Sequence, residues 1–232
     1  MTPGARTRIL AIAGSQRHGN SELLAEAALE GAAGTGAEVE LLSLARKRVG
    51  PCLGECYQSC HGAREAPWRS CRQQDDAPAF LERMVAADGI MFVSPVFHSG
   101  LPGAFKCLLD RSNALSRFED EEIGSLLAGK AAGAIAVGGA RHCGQEAVLG
   151  QLVDFILAMQ MLPIGFAERQ GYRGLAVLAE RAGSALNDRW TDYEVKAASA
   201  MDFARLFGAK LAREARVVQL GRAALQSSER EV

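Results

Sequence analysis

Two periods alternate along this chain. Short apolar runs of strand length, Arg8 to Ala13, Val39 to Leu44, Gly89 to Ser94, Ala131 to Val137 and Pro163 to Ala167, are separated by stretches with apolar residues at helical spacing. Ser21 to Ala33 carries Leu23, Leu24, Ala27, Ala28 and Ala32 roughly on one face. Asp75-Asp76 opens a second helix ending near Ala87, with Pro78 tolerated in its first turn. Further helices are predicted from Pro102 to about Phe118, from Gln145 to Met161, and from Tyr193 to Gln219. Glu119 to Gly129 reads as an acidic connector. Residues 45–74 show no period; they hold four cysteines and several arginines, and so long a loop in a compact domain implies a purpose.

Strands alternating with helices imply a parallel sheet covered on both faces. The predicted fold is α/β: a flavodoxin-like three-layer sandwich with a five-stranded parallel sheet in the order 2-1-3-4-5. Residues 1–220 form one domain on this reading, with 45–74 as a cysteine-rich insertion and 221–232 as a polar tail. In that order a ligand crevice lies beyond the carboxyl ends of strands 1 and 3, where the winding reverses.

The formal net charge is −1, so no global field draws in nucleic acid or an anionic membrane. The early apolar run is too short for a signal-peptide core, and Ala131 to Val137 is far below spanning length. A soluble cytoplasmic protein is expected. There, six cysteines point to metal ligands, reactive thiols or packing rather than disulfides.

After the first strand comes GSQRHGNSE, residues 14–22. Gly14 and Gly19 permit tight backbone geometry, and Ser15, Asn20 and Ser21 are short polar side chains able to bond a phosphate. The helix start adds unpaired N–H groups and Arg17 a charge-assisted contact. The loop lacks the lysine of a triphosphatase loop and the G-x-G-x-x-G of a dinucleotide fold, so a single terminal phosphate fits better. The competing reading is a well-capped helix with Asn20 or Ser21 as the cap. Loops after strands three and four face the same crevice: Ser94 to Gly100, with Pro95, Val96, Phe97 and His98, and Gly138 to Glu146, with Gly139, Arg141, His142 and Gly144. The paired glycines let a backbone approach a flat ring. Both histidines read equally as loop solvation or as contacts to a ligand.

Cys52, Cys56, Cys60 and Cys71 follow a C-x3-C-x3-C-x10-C spacing. Four thiolates in such a run can close around a [4Fe–4S] cube, take zinc, remain reactive thiols, or simply pack. Cys107 lies in an apolar helical stretch and reads as core; Cys143 also reads as packing.

These blocks resemble the NADPH-dependent FMN reductase-like flavoproteins and, within them, the iron–sulfur flavoproteins. The likeness rests on residues 14–22, the cysteines at 52–71, Asp75-Asp76, residues 87–111 and 138–146, and covers most of 7–165. It implies that Ser15, Arg17, Gly19, Asn20 and Ser21 hold the FMN phosphate. It implies that Pro95, Val96, Phe97 and His98 line the isoalloxazine, with Gly139, Arg141 and Gly144 on its other side. The family's early cysteines are more tightly spaced, which separates this cysteine loop from the usual pattern. Lys106, Asp110 and Arg111 are expected to act structurally, through i,i+4 pairing. The implied function is an FMN-dependent oxidoreductase, with a [4Fe–4S] cluster at Cys52, Cys56, Cys60 and Cys71. It would pass electrons between NAD(P)H or a small redox protein and a small-molecule acceptor. An NAD(P)H:FMN or quinone reductase without the cluster, and a non-enzymatic flavin-binding interaction protein, are the alternatives. A homodimer or homotetramer is expected, with no nucleic-acid or membrane partner.

Overall fold

The computed structural model describes residues 6–54, 60, 66–117, 124–140, 142–166, 172–179 and 197–228. Its centre is a parallel sheet built on β1 (Arg8–Ala13), β2 (Glu38–Ser43), β3 (Gly89–Pro95) and β6 (Ala131–Gly138), in the order β2-β1-β3-β6. The winding reverses between β1 and β3, as the sequence implies. Alternation along each strand sorts the core into two layers. Ile9, Ala11 and Ala13 point to one face with Met91, Val93 and Ile135, under α1 (Asn20–Ala33) and α5 (Ala197–Ser228). Leu10 and Ile12 point to the other with Ile90 and Phe92, under α2 (Ala77–Ala86), α3 (Gly103–Arg111) and α4 (Gln145–Ala158).

The fifth position of the sheet differs from the single strand expected at 163–167. Two short pieces fill it: β7 (Leu162–Pro163) against Ala131 and Ala132, and β8 (Leu175–Leu178) against Ile135 to Gly138. Pro163 offers no N–H to the ladder, which confines it to this outer edge. The sheet is entered again after Gly174. There a Cβ would sit 2.2 Å from the Ala134 carbonyl oxygen, so only glycine permits the approach. The sheet therefore has six strands, one more than expected.

Two helix ends and the acidic connector also differ. Helix α3 stops at Arg111, where Ser112 Oγ donates to the Leu109 carbonyl at 2.6 Å and the chain tightens into a 3-10 turn, Ser112–Leu115. Within the expected acidic connector, β5 (Gly124–Ser125) pairs antiparallel with β4 (Ser116–Arg117); residues 118–123 lie outside the described set. Helix α5 continues through Gly221 to Ser228, so the stretch expected as a polar tail is helical over most of its length.

Lys130 ties the layers together. Its ammonium donates to the carbonyls of Val85, at 2.8 Å, and Ala87, at the end of α2. Burial, partly offset by Asp88, lowers its pKa to about 8. A free lysine titrates near 10.4, so between about pH 8 and 10.4 the unfolded chain holds more protons than the native one. The unfavourable contribution of the buried charge is full below pH 8 and disappears as pH rises through that window. Thermal melts of wild type and Lys130→Met are therefore expected to diverge there, with wild type gaining stability relative to the variant as pH rises. Parallel curves across the window would show that Lys130 titrates normally.

Candidate functional site

The loops that leave β1, β3 and β6 lie at one edge of the sheet, as parallel strands require. The first, residues 14–19, is anchored by Gly14, whose N–H donates to the Val93 carbonyl at 2.7 Å. A Cβ on Gly14 would lie 2.0 Å from the Phe105 ring, so the loop rests directly on helix α3. Ser15 and Ser21 are buried, and Ser15 Oγ accepts the Arg17 N–H at 3.3 Å. Helix α1 starts at Asn20 with no side chain capping it. That disposes of the self-capped alternative, and Asn20 Oδ1 is buried without a hydrogen-bond partner among the described residues. A buried acceptor left open calls for a ligand hydroxyl. A half-turn of the amide would instead aim its NH2 pair at a phosphate oxygen. With no Cβ on Gly19, and nothing within 4 Å of where one would sit, the approach to the helix start is open. Uncapped amides, a positive helix end and an orphaned amide together suit a phosphomonoester.

The second loop turns tightly. Phe97 and Gly100 exchange backbone hydrogen bonds, both 2.9 Å, while His98 (φ 47) and Ser99 (φ 60) occupy the left-handed region. Two adjacent non-glycine residues in that region store strain of the kind found at ligand clamps. Phe97 is 48% exposed at the crest of this turn, an apolar ring held where a planar ligand can stack. Val96 donates its N–H to the Val137 carbonyl at 2.9 Å and so joins this loop to β6. In the third loop Gly139 is exposed, whereas Gly144 (φ 110) packs on Ser99, with only 2.4 Å between a would-be Cβ and the Ser99 Cα. Ser99 Oγ also donates to the Cys143 carbonyl at 3.3 Å. Gly144 thus locks two loops together. The expected site residue Arg141 lies outside the described set; His142 is exposed with φ 53. The expected packing role of Cys143 suits its surroundings: Sγ lies 3.5 Å from Gln145 Oε1 and against Gly138.

Cys52, Cys60 and Cys71 line one cavity, with an empty volume of about 540 Å³ open in part to solvent. Trp68, Gln73, Leu81 and Arg111 complete most of its wall. Cys56 lies outside the described residues. Among the described residues no three His, Cys, Asp or Glu side chains converge closely enough to hold a single metal ion. The cavity's chemistry fits a thiolate-bound anionic group: Arg111 donates from Nη2 to Cys71 Sγ at 3.3 Å.

Sequence reasoning placed Lys106 and Asp110 correctly as an i,i+4 ion pair but misread Arg111. Its guanidinium is buried and pairs with Asp75, which is distant in sequence and likewise buried. Burial disfavours the charge, yet bonding to Asp75, with the charges of Cys71 and Asp75, holds Arg111 above its ordinary pKa. Asp75 also accepts the N–H groups of Gly50, at 2.9 Å, and Ala77, at 3.1 Å, fixing the segment that leads to Cys52. Asp75-Asp76 was the available signal: two adjacent carboxylates before a helix, one of them not needed as a cap. Cys107 stands apart; burial and then Asp110 push its thiol up, so it stays protonated and inert.

An open parallel sheet with an uncapped, amide-rich helix start at its switch point defines a flavodoxin-like nucleotide-binding protein. Solved structures agree on the fold. A flavodoxin, WrbA-like protein from Agrobacterium tumefaciens superposes over 91% of this chain and 98% of its own, at TM-score 0.54 and 18% identity. RosB with a bound formylriboflavin phosphate intermediate covers 97% and 88%, at TM-score 0.64 and 16% identity. The sequence defines the family: the profile of the NADPH-dependent FMN reductases matches residues 7–169. An iron–sulfur flavoprotein of Methanocaldococcus jannaschii is 35% identical over 182 residues, 78% of this chain and 88% of that one. Another from Methanosarcina thermophila is 33% identical over 68% of this chain and 77% of its own. The chain belongs to the NADPH-dependent FMN reductase family, in its iron–sulfur flavoprotein subgroup. It is an FMN-dependent oxidoreductase. Among the described residues no helix is long and apolar enough to cross a membrane.

Proposed function

We propose that this protein moves electrons between a flavin held at the β1, β3 and β6 loops and a [4Fe–4S] cluster held by Cys52, Cys56, Cys60 and Cys71. One observation carries the reading: helix α3 joins the two sites. Near its start Phe105 supports Gly14 of the phosphate loop, and at its end Arg111 reaches the cysteine cavity. Gly103 to Arg111 spans only about 12 Å at the helical rise. When bound, FMN exchanges electrons singly or as a hydride, while a cluster passes one at a time; this chain supplies binding, orientation and electrostatics. Asn20, Ser15, Ser21 and Arg17 hold the phosphate beside the α1 start. The strained Phe97–Gly100 turn and Gly139 bracket the ring, and His98, Arg141 and His142 would temper charge on it.

Electrons enter from NAD(P)H or a small redox protein and leave to a small-molecule acceptor in this proposal. The exposed Val217, Leu220 and Leu225 of α5 support self-association as a homodimer or homotetramer. Anaerobic purification followed by an optical spectrum with iron, zinc and flavin analysis tests the core of it. Flavin with iron is the expected result; flavin with zinc or no metal would favour the cluster-free reductase.

The phosphate assignment has its own check. Arg17→Ala is expected to weaken FMN binding about tenfold, the loss of one charge-assisted contact, and to leave riboflavin binding unchanged. Equal losses for both ligands, or none, in fluorescence titrations would place the phosphate elsewhere.

A further inference from the structure

We infer that Trp68 and Arg111 form a donor shell around the cysteine cavity that favours the reduced state of the group bound there; this rests on the cluster reading above and names the residues that set its potential. Both side chains are more than nine-tenths buried, and both line the cavity with Cys52, Cys60 and Cys71. Among the described residues Trp68 Nε1 has no hydrogen-bond partner, and neither has Arg111 Nε. A buried donor left open costs about 1–3 kcal/mol, and both residues belong to the wall of this cavity, so an acceptor bound there would relieve that cost. Thiolate and sulfide sulfurs are such acceptors. Arg111 already shows the preference, with Nη2 donating to Cys71 Sγ at 3.3 Å.

A merely structural Asp75–Arg111 pair would spend the guanidinium on carboxylate and carbonyl oxygens. Here Asp75 takes Nη1, while Nη2 meets a sulfur and Nε is left open. Trp68 is held just as firmly. It lies in the 3-10 turn Pro67–Ser70, which runs directly into Cys71. A bulky apolar residue would close the wall equally well by phenylalanine; the indole adds one N–H.

Reduction adds one electron and no proton to a cysteine-bound cluster, so its negative charge grows. Hydrogen bonds to its sulfurs and a nearby cation stabilise the more negative form and raise the potential. Trp68→Phe removes a donor at nearly the same volume. Arg111→Lys keeps the charge and removes the fork.

The test is anaerobic potentiometry of iron-loaded full-length protein, with cluster and flavin followed separately by electron paramagnetic resonance and visible absorbance. Each variant is expected to keep iron and flavin and to shift the one-electron cluster equilibrium about tenfold towards oxidised, about 59 mV downwards. The flavin midpoint should stay in place. Iron-loaded variants with wild-type cluster midpoints would overturn the inference and leave the cluster reading standing. Wild-type protein that carries flavin and takes up no iron would overturn both, and metal analysis reports that before any titration. If Arg111→Lys does not fold, Trp68→Phe alone decides.

Discussion

Gly208→Ala is expected to be among the most damaging single-methyl changes available in this chain, lowering the melting temperature by about 2–8 °C. Gly208 lies inside helix α5 where that helix crosses α1. A Cβ there would stand 1.8 Å from the Ala28 carbonyl oxygen. Gly31 makes the reciprocal approach, with a Cβ 1.8 Å from the Arg205 carbonyl oxygen. The two backbones touch at this crossing, so no rotamer can relieve the clash; the helices must separate. Separation would loosen the layer around Phe207, which is fully buried and stacks on Phe166 with ring centroids 5.0 Å apart. Overpacking of this kind costs about 1–3 kcal/mol and sometimes more, against about 1 kcal/mol gained from alanine's better helix propensity. With two backbones forced apart the steric cost exceeds the gain, and at this chain length each net kcal/mol moves the melting temperature by about 2–4 °C. Gly221→Ala in the same helix is the control. Nothing lies within 4 Å of its Cβ position, so only the propensity gain remains and the melting temperature should rise by about 1–4 °C. Scanning calorimetry on the two variants compares the signs directly, and equal shifts would show that the α1–α5 contact is looser than its geometry.

The contrast between those two glycines shows what a sequence carries and what it does not. Both stand in helical stretches rich in alanine, and only the partner backbone distinguishes them. Local patterning was enough for β1, β3 and β6, because strands buried on both faces read as continuous apolar runs. It was enough for the turn between β1 and α1 too, since a strand, a glycine-bounded polar turn and a helix are adjacent in the chain. The outer strand was not legible as one run, because β7 and β8 each pair for only a few residues and owe their place to the edge of β6. Arg111 illustrates the same limit at the site. Its neighbours Lys106 and Asp110 obey helical spacing, and that spacing suggested i,i+4 pairing for Arg111 as well. Its actual partners, Asp75 and Cys71, are 36 and 40 positions away. The motif blocks marked both ends of that contact without saying that they meet.

If the cysteine loop holds the proposed cluster, Cys71→Ala purified in the presence of a chelator should lose its iron while FMN stays in place. On the cluster reading, removing one of four thiolates leaves one iron without a protein ligand, alanine offers no substitute, and a cube so loosely held is stripped by a chelator during purification. Cys71 is the cysteine that Arg111 addresses, so the change also leaves Nη2 without its sulfur acceptor in a buried setting. The flavin loops should not feel it. Gly14, Asn20 and the Phe97–Gly100 turn are held by β1, β3, α1 and the packing of Phe105, none of which passes through Cys71. The expected preparation is yellow, with stoichiometric flavin and iron near background. Cys107→Ala separates ligand loss from the general effect of deleting a thiol. Its side chain sits on α3 with its thiol held protonated, outside the residues lining the cavity, so iron and flavin should both remain. Full iron in Cys71→Ala would remove that residue from the ligand set. Loss of flavin together with iron would mean instead that the cysteine loop supports the flavin crevice, and that helix α3 links the stability of the two sites as well as their positions.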